Sequence, residues 1–206
     1  YGDYVVTVVM DGKCSDQTKT FNVRVNKDPE VTFGTLGFTC TNNTFTLTSD
    51  LVSYVWNSVK ETEKKVTWSV LDNTGAEAAV TAYTIDNVNA LYPVLTFNTS
   101  GTYTLKVEVD GFGCSGTKTK AEAALTVYDN TFVLDLTQDK DVICEGEKVS
   151  FTNNTTSSDP LDYTWSVSSM DGVTISDVKS TAPEITFTKY GDYVVTVVMD
   201  GKCSDQ

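Results

Sequence analysis

The chain has 206 residues, 40% of them hydrophobic and 11% aromatic, with 28 acidic against 15 basic side chains, a net charge of −13 and no histidine. This acidity argues against nucleic acid and anionic membrane surfaces as partners, and the lack of histidine removes the usual general base, zinc ligand and Ser–His or Cys–His pair. The apolar content suffices for a folded core, and no apolar run approaches the ~20 residues of a bilayer span.

The first element is "YGDYVVTVVMDGKCSDQ", residues 1–17, which returns without a substitution as residues 190–206. Its offset, 190 − 1 = 189, is read as the period of a tandem array of which this chain is a window. Within the segment Tyr4, Val6, Val8 and Met10 alternate with polar or β-branched residues up to an Asp-Gly turn, the pattern of a half-buried antiparallel strand. Cys14 and a second alternating strand, "CSDQTKTFNVRV" (14–25), follow, and then a short linker, "NKDP" (26–29).

Next come Cys40 ahead of "TFTLTS", "VTWSV" (66–70), "VLTFNTSGTY" (94–103) and "GTYTLKVEVDG" (101–111), which places Tyr103, Leu105, Val107 and Val109 on one face. Cys114 opens "CSGTKTKAEAALTV", and a second linker, "YDNT" (128–131), follows. The series then repeats in diverged form: Cys144 ahead of "KVSFTN", "YTWSV" (163–167), "EITFTKYGDY" (184–193), "GDYVVTVVMDG" (191–201) and Cys203. Two homologous domains are therefore expected, at 27–127 and 128–206. The second lacks a last strand, whose sequence is that of residues 18–26, and residues 1–26 are the tail of a preceding second-type domain. Linkers this short leave no flexible tether.

Short strands, turn punctuation, one Trp per domain (Trp68, Trp165) and a Gly-x-Tyr ahead of the penultimate strand (Tyr103, Tyr193) predict an all-β sandwich of about seven strands, with those four aromatics in its core. On these residues, "YTWSV … ITFTKYGDYVVTVVMDGKCS" resembles the PKD-like and Ig-like tandem repeats of giant bacterial surface adhesins, of the Bacteroidota type. The W-D-F-G-D-G signature of many PKD domains is replaced by Trp165-Ser166-Val167 and Trp68-Ser69-Val70. The resemblance implies a linear array of sandwiches and carries no active site with it.

Single, widely spaced cysteines in a Thr-rich β-chain, with no C-x-x-C, point to disulfides and an oxidising, extracellular setting. One pairing is intradomain, Cys40–Cys114 and Cys144–Cys203. It is awkward, because a cysteine before the second strand and one after the sixth stand at opposite poles, ~27 Å apart for an eight-residue strand, against the ~7 Å that a bridge allows. The favoured alternative is interdomain: Cys40 with Cys203, and Cys144 with the Cys114 of a following copy. Cys14 occupies the same repeat position as Cys203.

Other candidates are weaker. Val194, Thr196 and Val198 form a stripe on the outward face of the strand at 191–201, either a packing contact or ordinary β-branched surface. Asp28, Asp129, Asp139 and Asp141, with Glu30, Glu145 and Glu147 nearby, are candidate oxygen ligands for Ca²⁺ at the junctions or simply solvated carboxylates. Asn42, Asn98, Asn153 and Asn154 begin glycosylation tripeptides or serve turns. No other cofactor is expected, and no constellation suggests an enzyme. The expected role is a disulfide-reinforced spacer in a long extracellular filament or surface adhesin. Its partners are neighbouring copies of the same repeat, with a cell-surface or polysaccharide ligand at the tip. The alternatives are repeats that are themselves adhesive and a strand-exchanging, pilus-type subunit.

Overall fold

The structure is a computed structural model that describes residues 1–57, 59, 61–110, 118–129 and 131–203. Its strands are β1 (Gly2–Met10), β2 (Gln17–Val25), β3 (Glu30–Phe33), β4 (Phe38–Cys40), β5 (Thr44–Thr46), β6 (Val52–Val55), β7 (Lys65–Leu71), β8 (Tyr83–Ile85) and β9 (Val94–Phe97). There follow β10 (Gly101–Asp110), β11 (Thr119–Tyr128), β12 (Leu136–Gln138), β13 (Lys148–Asn153), β14 (Asp162–Val167), β15 (Val173–Ile175), β16 (Glu184–Phe187) and β17 (Val195–Asp200). Among the described residues the one helical element is a 3-10 turn at Glu61–Glu63. The chain forms two compact units: Tyr1–Gly37, Thr44–Asn98 and Thr102–Leu125 in the first, and Phe38–Asn43, Thr99–Gly101 and Thr126–Gln206 in the second.

The first unit contains a sandwich. One sheet runs β5-β9-β8 and the other has β10 between β11 and β7; β5–β9, β8–β9 and β10–β7 pair antiparallel. The alternation of β10 decides its placement: Tyr103, Leu105, Val107 and Val109 are buried while Lys106 and Glu108 face outward. Opposite them stand Leu47, Leu95 and Phe97, with Val66, Trp68 and Val70 from β7, all at or below 4% exposure. Trp68 fills this core and donates its indole N–H to the Ala90 carbonyl at 2.9 Å, so a large apolar body is buried with its one polar atom satisfied. Among the described residues nine strands, β3 to β11, begin within the span 27–127, against about seven expected. The extra ones are short pieces such as β6 and β8, which pair with β3 and β9; three or four residues are too few to show alternation in a sequence.

Also in the first unit, β1 and β2 form a hairpin with Gly2 opposite Val25 and Met10 opposite Gln17. Nearly every residue in it is exposed. Asp3 and Arg24, directly opposite each other, form an ion pair at 3.5 Å.

The second unit repeats the plan. One sheet runs β12-β13-β16-β15, and among the described residues the other has β14 and β17. Trp165 repeats the role of Trp68, donating to the Ser180 carbonyl at 2.8 Å. Val149, Val173, Ile185 and Phe187 form one buried cluster, and Tyr163, Trp165 and Met199 another. Tyr193, expected in the core, is only half-buried, as are Val195 and Val197; the counterpart Tyr103 is 6% exposed. The physical reason is a missing neighbour. β10 is flanked on both sides, whereas β14 alone pairs with β17 among the described residues. Both tyrosines nevertheless pack against the matching Phe, Tyr103 on Phe97 and Tyr193 on Phe187, each with ring centres 4.8 Å apart.

The Gly-x-Tyr motif has a local cause. Gly2, Gly101 and Gly191 have φ of 141°, 150° and 146°, a region that side-chain-bearing residues essentially do not enter. The tyrosine two residues later starts the inward face after Gly101 and Gly191, with Tyr103 buried and Tyr193 half-buried, whereas Tyr4 after Gly2 is 50% exposed.

Candidate functional site

The second unit contains a covalent node built from segments far apart in sequence. β4 ends at Cys40 and lies parallel to the last residues of β11, with Phe38 opposite Thr126 and Cys40 opposite Tyr128. The Thr41 amide then donates to the Tyr128 carbonyl at 2.8 Å. These bonds, together with the disulfide, explain why Phe38–Asn43 belongs with this unit although it lies within the span 27–127. Cys40 is bonded to Cys203 in the turn after β17, with Cα atoms 5.6 Å apart and a sequence separation of 163. With Cys203 held by Cys40, neither intradomain pairing forms: no Cys144–Cys203 bridge, and no Cys40 left for Cys114. Cys114 itself lies outside the described residues. Cys14 and Cys144 are free and exposed.

The surroundings of the disulfide restrain both of its ends. The Cys203 amide donates to the Asp159 carboxylate at 2.6 Å, and Asp159 is 3% exposed, with its own amide bonded to the Ser157 hydroxyl. On the other side the Thr41 hydroxyl donates to Asp129 at 3.4 Å, and the Asp129 amide donates to the Ser158 hydroxyl at 2.7 Å. Lys202, next to Cys203, sets its ammonium 5.1 Å from the Phe38 ring and 5.4 Å from the Tyr128 ring, a two-faced cation–π contact. Thr39, Cys40 and Thr41 are all buried. The arrangement holds and braces; it contains no nucleophile paired with a base.

Asp159, Ser158 and Lys202 were not singled out from the sequence. Only the position of Lys202 beside a cysteine hinted at it, because Asp159 has no pattern around it that distinguishes it from other acidic loop residues.

The candidate oxygen ligands are dispersed and used locally. Asp129 accepts from the Thr131 amide and hydroxyl, Asp139 from the Ser150 amide, and Asp141 from the Gln138 side chain, while the Asp28 carbonyl accepts from Asn57. Among the described residues no three carboxylates or cysteines gather in a metal-holding group. Val194 and Val198, on the outward face of the last strand, are 66% and 43% exposed, with Thr196 between them also exposed. The corresponding positions on β10 are Thr104, Lys106 and Glu108, and Glu108 lies within 3.1–3.5 Å of Lys120, Lys118 and Lys106. Hydrogen bonding to Lys120, followed by that to Lys118, holds the Glu108 carboxyl below its ordinary value. Asn42 has φ 62° in an exposed turn, a left-handed conformation that Asn tolerates well.

A second feature of this unit is a cleft of about 330 Å³. Val142, Ile143, Cys144, Gly191, Tyr193 and Val195 are among the residues that line it. Val142 is 88% exposed.

No protein-family model matches the chain, and no curated protein matches it. Solved structures do. The chain is similar to a three-Ig structure of titin domains I67–I69, an E-to-A variant, at 12% identity and a TM-score of 0.51, covering 99% of this chain and 71% of that one. It also aligns with the D00–D0 domain of intimin at 13% identity and TM-score 0.43, over 87% of this chain and 95% of that one. A third alignment is with the insect immune protein hemolin, at 15% identity and TM-score 0.40, over 98% and 54%. At such identities the titin likeness shows the fold, and the fold is that of Ig-like β-sandwich domains.

Proposed function

We propose that this chain is a repeat of a long extracellular filament or stalk, of the kind that projects giant bacterial adhesins, and that it works as a disulfide-reinforced spacer. The observation that carries this reading is the verbatim return of residues 1–17 as 190–206. An enzyme needs one site and gains nothing from reproducing it without change, whereas a shaft gains reach with each copy and uniform mechanics from sameness. The Ig-like sandwich supports it, since a unit whose ladders and core resist shear suits load-bearing. The Cys40–Cys203 bond supports it further, because it removes most of the chain from the extensible path. The setting that goes with it is extracellular, where such a bond persists.

The test is the size and sequence of the natural polypeptide. A denatured, reduced chain longer than 206 residues whose sequence recurs with a 189-residue period supports the spacer. A natural product that holds the segment once or twice and then ends refutes it.

A further inference from the structure

We propose that the Asp28–Pro29 peptide bond is a self-cleaving site, at which the Asp28 carboxylate attacks its own backbone carbonyl and cuts the chain just ahead of β3. Asp28 Oδ1 is buried and has no hydrogen-bond partner among the described residues. Such an oxygen costs stability, since neither water nor a donor spreads its charge, and its lone pairs stay available. The neighbouring ammonium of Lys27 turns instead to Glu30, at 2.6 Å. The backbone carbonyl of Asp28 is polarised, because the Asn57 side-chain amide donates to it at 2.6 Å. The sheet brings Asn57 there. β3 and β6 pair antiparallel with Glu30 opposite Val55, and the same register two places further on sets Asp28 opposite Asn57. Asn57 has φ 50°, a left-handed conformation kept by its surroundings. Beyond the bond, Pro29 is buried and its carbonyl accepts from the Thr119 hydroxyl at 2.9 Å. Both carbonyls flanking the proline ring are thus held. The other Asp-Pro pair, Asp159–Pro160, differs: its carboxylate already accepts from the Cys203 amide at 2.6 Å.

The step is an intramolecular acyl transfer. Oδ1 attacks the Asp28 carbonyl carbon and closes a five-membered ring, while the developing oxyanion keeps the Asn57 hydrogen bond. The C–N bond to Pro29 then breaks, and its electron pair stays on nitrogen, which takes a proton from water. This leaves a cyclic anhydride on Asp28 and a free secondary amine on Pro29. A second water opens the anhydride to two carboxyl groups; the sum is hydrolysis of one peptide bond, with nothing oxidised or reduced. Proline suits the leaving position because its amide nitrogen carries no hydrogen. A nucleophile on the same residue needs no encounter, and well-oriented intramolecular attack reaches effective molarities of about 10⁵–10⁸ M. One oxyanion donor is worth about 10²–10³ in rate. For a spacer such a bond would be a release point. Every group involved lies in the first unit of this chain, so the test does not depend on the spacer reading.

The experiment is mass spectrometry of the oxidised full chain during incubation at neutral pH, folded and in guanidinium chloride, with each sample reduced before analysis. The folded chain is expected to yield fragments 1–28 and 29–206 at least about tenfold faster than the unfolded one, because folding supplies the oxyanion donor. It should also cut there at least about tenfold faster than at 159–160. Hydroxylamine added during the incubation should leave a hydroxamate on Asp28, which capture of the anhydride produces and direct attack by water does not. Asp28→Ala should abolish the cut. Asn57→Asp tolerates the left-handed conformation but has no amide N–H to donate, and should slow the cut at least about tenfold, with an unchanged melting curve as the check on its fold. Should that variant melt early, the folded and unfolded wild-type rates decide. A folded chain that stays whole, or one that cuts no faster than the unfolded chain, overturns the proposal. So does cleavage without the hydroxamate, or a folded Asn57→Asp variant that cuts at the wild-type rate.

Discussion

Pulling the chain from its two ends tests the disulfide directly. The bond joins residues 163 apart, so with it intact an applied force extends only the stretches outside it. At ~3.5 Å per extended residue the hidden length is ~570 Å. Force spectroscopy of the 206-residue chain between end handles should therefore show ~570 Å more total contour length after reduction than before it. Cys40→Ser alone, or Cys203→Ser alone, should produce the whole gain without reductant. Intradomain bridges would act otherwise: Cys40–Cys114 hides ~260 Å and Cys144–Cys203 ~210 Å, and each single serine variant would release one part only. A gain split in this way, or no gain at all, refutes the node. The same closure has a thermodynamic side. Chain entropy for a loop of this length is worth about 5 kcal/mol, at the top of the measured range of about 0–5, so reduction should lower the denaturant midpoint of the second unit markedly.

Cys14 and Cys144 are exposed and should react with maleimide in the native, oxidised chain, while Cys40 and Cys203 should react only after reduction; peptide mapping distinguishes them. Met10 and Met199 occupy the same place in identical segments but are 60% and 1% exposed. Met199→Ala should cost about 2–4 kcal/mol in urea unfolding and Met10→Ala less than about 0.5, and equal costs would refute the exposed hairpin. Asp159→Ala removes the acceptor of the Cys203 amide and should cost about 1–3 kcal/mol, read from the same unfolding curves. Glu108 has a carboxyl held below its ordinary value of 4.5 by Lys120 and Lys118. Its contribution is therefore complete above pH ~4.5 and is lost as the pH falls through the depressed folded-state value. Glu108→Gln should flatten the acid limb of stability against pH over that window, and an unchanged limb would refute the contact.

Much of this protein was legible along the chain because β-structure writes itself locally. A period of two in "GTYTLKVEVDG" dictates which face of β10 is buried, since successive side chains must point to opposite sides. Gly101 and Gly191 mark turns that only glycine can make, and Trp68 and Trp165 identify two related cores. The verbatim recurrence of residues 1–17 as 190–206 is visible with no structure at all.

Other properties belong to the tertiary structure alone. Residues 3–10 and 192–199 have one sequence and two fates: an exposed hairpin in one place, and a strand with Met199 fully buried in the other. Burial depends on what lies on the far side of a strand, and no local pattern encodes that. The sequence favours Cys203 as partner to Cys40 but leaves the intradomain pairings open, and the decision between them is of the same kind. It follows from where β4, the end of β11 and the turn after β17 meet, which is a matter of chain path through space rather than of spacing along it.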